Sequence, residues 1–266
     1  MKKVFLKKGL LLAACGMMSV SAAACGKKTE PAGNTANSQS VQESVQTEAE
    51  EAASEGSVSQ EEAQIPLNEH GLVTNPEEAL EILKSGNDQF SKGAVNLDVR
   101  ESTRKDLAEN GQHPHTVVIT CSDSRVSPEL IFDLGIGEEF VIRTAGNVVS
   151  SYEIGSVEYA VEHLNASLIL VMGHSQCGAV GAALEGGEAP GYIADIVKEI
   201  APSVEKAKAQ ETDEAKIADV AENFNVENSV EKLMESQIIS DLVKEGKVNI
   251  IGSKYDISTG TVKYFE

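Results

Sequence analysis

Two short blocks far apart in the chain, Cys121-Ser-Asp-Ser-Arg125 and His174-Ser-Gln-Cys177, each sit at the end of a strand-like run and together restrict the fold. Thr116-Val-Val-Ile-Thr120 precedes the first block, and Ser167-Leu-Ile-Leu-Val-Met172 precedes the second. Short apolar runs rich in β-branched residues read as buried strands. Glu139-Phe-Val-Ile-Arg143 and Lys247-Val-Asn-Ile-Ile251 are two more. Helical patterns fall between them, over 128–133, 152–164 and 177–184, with a longer insertion over 192–224 and a helix over 228–244 leading into the last parallel strand. This alternation predicts an α/β fold, a mostly parallel central β-sheet flanked by helices. Thr261-Val-Lys-Tyr-Phe265 adds an edge strand after the turn at Ser258-Thr-Gly260. Ahead of the sheet, Asn75-Pro76-Glu77-Glu78 combines an N-cap, a proline at the first helical position and acids favoured by the helix dipole. A second, polar helix over 100–110 is stopped by Gly111, which completes an N-terminal helical arm.

The chemistry of the two blocks points to a metal. Cys121, His174 and Cys177 supply two thiolates and an imidazole, the donors Zn²⁺ takes most readily, and three protein ligands leave a fourth position open. His174 and Cys177 are close enough for one turn to aim both at one ion. Cys121 has to be brought there by the fold, a separation that fits no zinc finger. Sites in open α/β sheets gather at the carboxyl ends of strands, where both blocks fall. Asp123 and Arg125 have no use in a purely structural zinc site. Asp123 as a simple cap for the next helix is the plainer alternative. A Cys121–Cys177 disulfide is another, although it explains neither His174 nor Asp123.

The remaining cysteines belong to the N-terminus. Met1-Lys-Lys-Val-Phe-Leu-Lys-Lys8 is a basic leader, and the small and apolar stretch 9–24 ends in Ser21-Ala-Ala-Ala-Cys25. This reads as a lipoprotein-type signal peptide over 1–25, with Cys25 as the lipidated residue. Cys15 also fits that pattern locally, but its apolar run falls short of the roughly 7–15 residues expected. An uncleaved signal-anchor is the other alternative, disfavoured because a span needs about 20 apolar residues. Residues 26–67, rich in Glu, Ser, Gln and Ala, cannot bury enough apolar surface to order themselves and read as a disordered acidic linker. Residues 68–266 form the catalytic domain. The protein is therefore expected to be exported and lipid-anchored on the extracytoplasmic face of a bacterial membrane. A net charge of −20 excludes nucleic acid as a partner, since phosphate contacts need stripes of Lys and Arg.

Seven blocks in order give the domain a family resemblance. They are Ser85-Gly-Asn-Asp-Gln-Phe90, Gly111-Gln112-x-Pro114, Cys121-Ser-Asp-Ser-Arg-Val126, Phe140-Val-Ile-Arg143 running into Ala145-Gly-Asn147, Ser156-Val-Glu-Tyr-Ala160, Gly173-His-Ser-Gln-Cys-Gly-Ala179, and Tyr255-Asp256-x-x-Thr259-Gly260. Over about 77–266 the sequence resembles the β-class carbonic anhydrases. The resemblance implies one Zn²⁺ per subunit on Cys121, His174 and Cys177. It also implies an Asp123–Arg125 dyad that orients the attack of zinc-bound hydroxide on CO₂, giving bicarbonate and a proton. It places Gln112, Gly173 and Gly178 at the substrate pocket, with Gln112 reaching it across a dimer interface. The expected assembly is a homodimer or a dimer of dimers. In a closed form of the family the aspartate itself takes the fourth metal position, which release by Arg125 would permit here. Tyr152, His163, His113 and His115 are the candidates for carrying the proton away. Two positions depart from the pattern. Thr144 replaces a common asparagine, and Val118 stands where a bicarbonate-sensing subgroup has tryptophan, a residue this chain lacks altogether. Hydrolysis of CS₂ or COS on the same scaffold, or zinc binding without turnover, remain alternatives. Two thiolates donate more charge than imidazoles and leave a bound water less acidic, so activity is expected to lean alkaline. A pH–rate profile flat down to about pH 6 would contradict this.

Overall fold

The computed structural model describes residues 73–265. The expected signal peptide over 1–25, the expected lipidation site Cys25 and the expected linker over 26–67 lie outside the described residues. Helix α1 (Pro76–Ser91) begins as the sequence predicts, with the Asn75 side chain accepting from the backbone N–H of Glu77 at 2.8 Å. Helix α2 (Glu101–Asn110) buries none of its side chains and ends at Gly111, whose φ of 88° suits glycine. Strand β1 (Thr116–Cys121), the short helix α3 (Pro128–Ile131) and strand β2 (Glu139–Thr144) follow. A 3₁₀ turn at Ala145–Asn147 leads to α4 (Ser151–His163), β3 (Leu168–His174) and α5 (Gly178–Glu185). Then come α6 (Ile193–Gln210), α7 (Glu214–Leu233), α8 (Gln237–Lys244), β4 (Asn249–Tyr255) and β5 (Val262–Tyr264). Among the described residues no helix is long and apolar enough to cross a membrane.

The sheet order is β2-β1-β3-β4-β5. The first four strands are parallel and β5 is antiparallel to β4, which confirms the mostly parallel sheet and its edge strand. Alternation along the strands sends side chains to two faces. Val117, Ile119, Ile169 and Val171 meet Val157 and Val161 of α4, Val226 and Leu233 of α7, and Ile239 of α8. Val118, Leu168, Leu170 and Met172 meet Ala79 and Leu83 of α1 and Ile131 and Phe132. Each fully buried side chain of this size contributes about 1.5–3 kcal/mol, so these two layers are the main stabilising term. The arm is held to the second layer by polar contacts as well. Buried Asn87 donates to the carbonyls of Ile131 and Gly260 at 3.2 and 2.9 Å and accepts from Val262 N–H at 2.8 Å. Its neighbour Gly86 lies so close to the α3 region that a Cβ there would stand 1.7 Å from the Phe132 carbonyl oxygen.

Several boundaries differ from the sequence reading. The insertion over 192–224 is two helices, and the second of these, α7, continues to Leu233. The helix expected over 228–244 is broken at 234–236, where Ser236 caps α8 by accepting from Ile239 N–H at 3.3 Å. Strand β4 starts two residues later and runs to Tyr255. At the free edge, the first residue of β2, Glu139, has both carboxylate oxygens buried without a hydrogen-bond partner among the described residues. Burial, with Glu129 and Glu138 nearby, raises its pKa well above the ordinary carboxyl range.

Candidate metal centre

Cys121 and His174 are the last residues of β1 and β3, adjacent parallel strands aligned so that Thr120 faces Met172. Cys177 caps the amino end of α5, three residues beyond His174. All three are buried, and their donor atoms lie within 4.8 Å of one another. A tetrahedral zinc with bonds of about 2.0–2.3 Å needs donors roughly 3.5–4 Å apart, so small side-chain adjustments close the set. The His174 ring is oriented for this. Its Nδ1 lies 2.9 Å from the Ser175 carbonyl, which only accepts, so Nδ1 carries the proton and Nε2 presents its lone pair. Nε2 is buried with no hydrogen-bond partner, the orphan a metal ion would satisfy. Burial opposes charge on this ring, but the Cys121 sulfur, the Ser175 carbonyl and Asp123 outweigh it and raise its pKa. The same surroundings favour any cation at Nε2.

Both sulfurs are free. The Cys121 thiol is pulled well below the usual thiol range by the Cys177 side chain beside it, helped by the His174 ring and by Gly146 N–H at 3.2 Å from Sγ. Cys177, which donates in that contact, is pushed up by it. Its place at the start of α5 puts the positive end of a helix dipole against its sulfur, which favours the thiolate. Gly146 has a φ of 69°, and a Cβ there would crowd Ile200 Cδ1 at 2.7 Å, so glycine is required beside the sulfur.

Beside the ligands stands an acid held by a guanidinium. Arg125 Nε and Nη2 donate to Asp123 Oδ1 and Oδ2 at 2.9 and 2.8 Å, and Arg125 backbone N–H adds a third bond to Oδ1 at 2.9 Å. The Arg125 side chain thereby holds the carboxyl well below the usual carboxylate range. Asp123 Oδ2 lies 3.9 Å from His174 Nε2, so the carboxylate reaches the mouth of the donor set. Asp123 does not cap the next helix; Ser127 occupies that position. Arg143 fixes the loop by donating to the carbonyls of Asp123 and Cys121 at 2.7 and 3.2 Å.

The sequence model of one family, described as carbonic anhydrase, matches residues 116–262. Carbonic anhydrase 2 of Mycobacterium tuberculosis is 40% identical over 192 residues, covering 70% of this chain and 91% of its own. Carbonic anhydrase of Mycolicibacterium smegmatis is 38% identical over 197 residues, 71% of this chain and 93% of its own. Among solved structures, the Coccomyxa β-carbonic anhydrase in complex with acetazolamide superposes with a TM-score of 0.57 at 29% identity, over 73% of this chain and 87% of that one. One of two tetrameric β-carbonic anhydrases from Sordaria macrospora does so with a TM-score of 0.54 at 29% identity, over 62% and 91%. The chain belongs to the β-carbonic anhydrase family. As a β-carbonic anhydrase it has zinc as the metal for its Cys-His-Cys set.

Other residues singled out in the sequence fall in different places. Gln112 is exposed and precedes the amino end of β1, whereas Cys121 ends it. The strand residues Thr116–Thr120, at about 3.3 Å each, lie between the two, so Gln112 is remote from the metal set of its own chain. Gly173 does not face open space. A Cβ there would meet Val226 Cγ2 at 2.6 Å, so its smallness serves the approach of α7 to β3. Gly178 is exposed, with open space about it. His115 is buried at the amino end of β1, the end opposite Cys121, and burial pushes its pKa down to about 4. Thr144 makes its own local bond, its hydroxyl donating to the Val148 carbonyl at 2.6 Å. The sequence reading missed Glu222, whose Oε1 accepts from Cys177 N–H at 3.0 Å, and Lys254, which pairs with Glu222 Oε2 at 2.6 Å. The purified chain is expected to hold close to one zinc per subunit by elemental analysis, and His174→Ala is expected to lose most of it.

Proposed function

We propose that this chain catalyses the reversible hydration of CO₂ to bicarbonate and a proton. The observation that carries this reading is the buried, unpartnered Nε2 of His174, set among two free thiols and 3.9 Å from a carboxylate already held by arginine. A bound zinc supplies a water whose pKa falls from about 16 toward neutrality. The chain's own residues do the rest. Asp123, kept ionised through the neutral range, is too weak a base to remove a proton there and serves as a hydrogen-bond acceptor. An acceptor fixed at that place orients the nucleophile and leaves its lone pair free for the carbon of CO₂. Arg125 occupies both oxygens of Asp123 and donates to the Gln176 carbonyl at 3.3 Å, linking the two ligand loops and keeping the carboxylate from the donor set. Its fork geometry is why lysine is no substitute.

In the same reading, Gln112 completes the site of a second copy, which makes a homodimer, or a dimer of such dimers, the functional unit. The first 25 residues direct export, and lipidation at Cys25 tethers the domain through residues 26–67. Cys25→Ala is expected to shift the protein from the membrane to the soluble fraction on cell fractionation; unchanged membrane association would refute the anchor. For the reaction itself, stopped-flow hydration of CO₂ is expected to be abolished by a chelator. Arg125→Ala is expected to lose about a hundredfold or more in rate while keeping its zinc. Retained activity in that variant removes the dyad from the mechanism. Faster turnover of CS₂ or COS than of CO₂ reassigns the substrate, and zinc without any turnover leaves a binding protein.

A further inference from the structure

Helix α7 carries three buried polar side chains, Glu222, Asn225 and Ser229, spaced to lie along one helical face. Each reaches a loop that holds one of the two sulfurs. Glu222 accepts from Cys177 N–H at 3.0 Å. Asn225 Nδ2 donates at 2.7 Å to the carbonyl of Gly146, the residue whose N–H points at Cys121 Sγ. Ser229 Oγ lies 2.9 Å from the Asn147 carbonyl. We propose that this stripe is a clamp: one face of α7 positions both thiolate ligands at once, although none of its residues touches the metal. The proposal rests on reading Cys121, His174 and Cys177 as the metal set.

Backbone geometry shows why a clamp is needed. Gln176, between the ligands His174 and Cys177, has a φ of 58°, and Asn147 has a φ of 47°. Left-handed backbone at residues other than glycine persists only where surrounding contacts impose it. The Gln176 loop is held by Arg125 on the solvent side and by Glu222 on the buried side. The Gly146–Asn147 turn is held by Asn225 and Ser229. Close approach of the helix is built in as well, since Gly173 on β3 and Gly252 on β4 leave room for Val226.

Stability alone does not account for the stripe. The Glu222–Lys254 pair is nearly inaccessible, with 5% and 11% side-chain exposure. Replacing a buried pair of this kind by well-packed apolar residues is often neutral or stabilising. Its specific product here is an acceptor oxygen held under Cys177 N–H. Lys254 fixes that oxygen by binding the other one, and is itself steadied by Asp219 at 2.6 Å. Partners that orient metal ligands from behind are worth roughly 10–100-fold in metal affinity when removed.

The test measures zinc release to excess chromogenic chelator, with the thiolate charge-transfer bands of the cobalt-substituted protein as a second readout. Glu222→Ala and Asn225→Leu are each expected to speed release about tenfold or more and to shift those bands. Glu222→Gln keeps the acceptor oxygen and is expected to recover most of the loss. Leu233→Ala destabilises the same helix from within the apolar layer while keeping all three polar contacts, and is expected to leave release unchanged. Should Glu222→Ala fail to fold, Lys254→Met serves in its place, because it frees Glu222 to move; faster release is again expected. Wild-type release rates in Asn225→Leu together with Glu222→Ala, or with Lys254→Met in its place, overturn the clamp, as does Leu233→Ala releasing zinc as fast as they do. A wild-type chain that takes up no zinc defeats the metal reading instead, and the clamp with it.

Discussion

The parallel pairing of β1 with β3 is the constraint on which the site depends. It runs from Thr116 opposite Leu168 to Thr120 opposite Met172, and both strands end directly in a ligand. Cys121 shares its face of β1 with Val117 and Ile119, whose burial against α4, α7 and α8 fixes the register. A slip of one residue would send those side chains into the other layer, already filled around Val118, and turn the sulfur to the opposite face. The energy that holds the ligand geometry therefore comes mostly from aliphatic packing some distance away. Local polar contacts then refine a position that the sheet has already set.

Charge balance is the second organising element. Two thiolates and the carboxylates of Asp123 and Glu222 would gather four negative charges in a small volume, most of it closed to water. A divalent ion, Arg125 and Lys254 offset them. Neither arginine nor lysine is spread at random: Arg125 faces solvent above the donor set, while Lys254 lies behind Cys177. Buried charges persist only when paired and hydrogen-bonded, and each of these has both kinds of partner. The centre thus belongs to the fold as a whole, with β1, β3, α5 and α7 each supplying something it needs.

Much of this was legible in the sequence. Thr116–Thr120 and Ser167–Met172 announce strands through β-branched and aliphatic runs, and the ligands follow them by position. Asn75-Pro76 and Gly111 mark the ends of the arm helices through local backbone chemistry, which sequence records directly. The role of helix α7 was not legible, because its functional face is polar and buried. Glu222, Asn225 and Ser229 read as solvent-facing residues in any pattern that equates polar with exposed. The family resemblance places Gly173 at the pocket; that it also makes room for a helix shows only from the position of Val226, brought in from fifty-odd residues later. Gln112 reads as a site residue from its motif, yet the direction of β1 carries it to the far end of that strand, away from Cys121 of its own chain.

That far end also holds Glu139, opposite Thr116 on the free margin of the sheet. Edge strands are commonly kept apart by charge, and a lone carboxylate would ordinarily serve that purpose. Here burial and two neighbouring acids favour the protonated form, so the group that would repel an approaching surface is muted. The rim of the sheet nearest Gln112 therefore carries an acid whose oxygens are turned away from water, a carboxyl that serves the interior more than the surface.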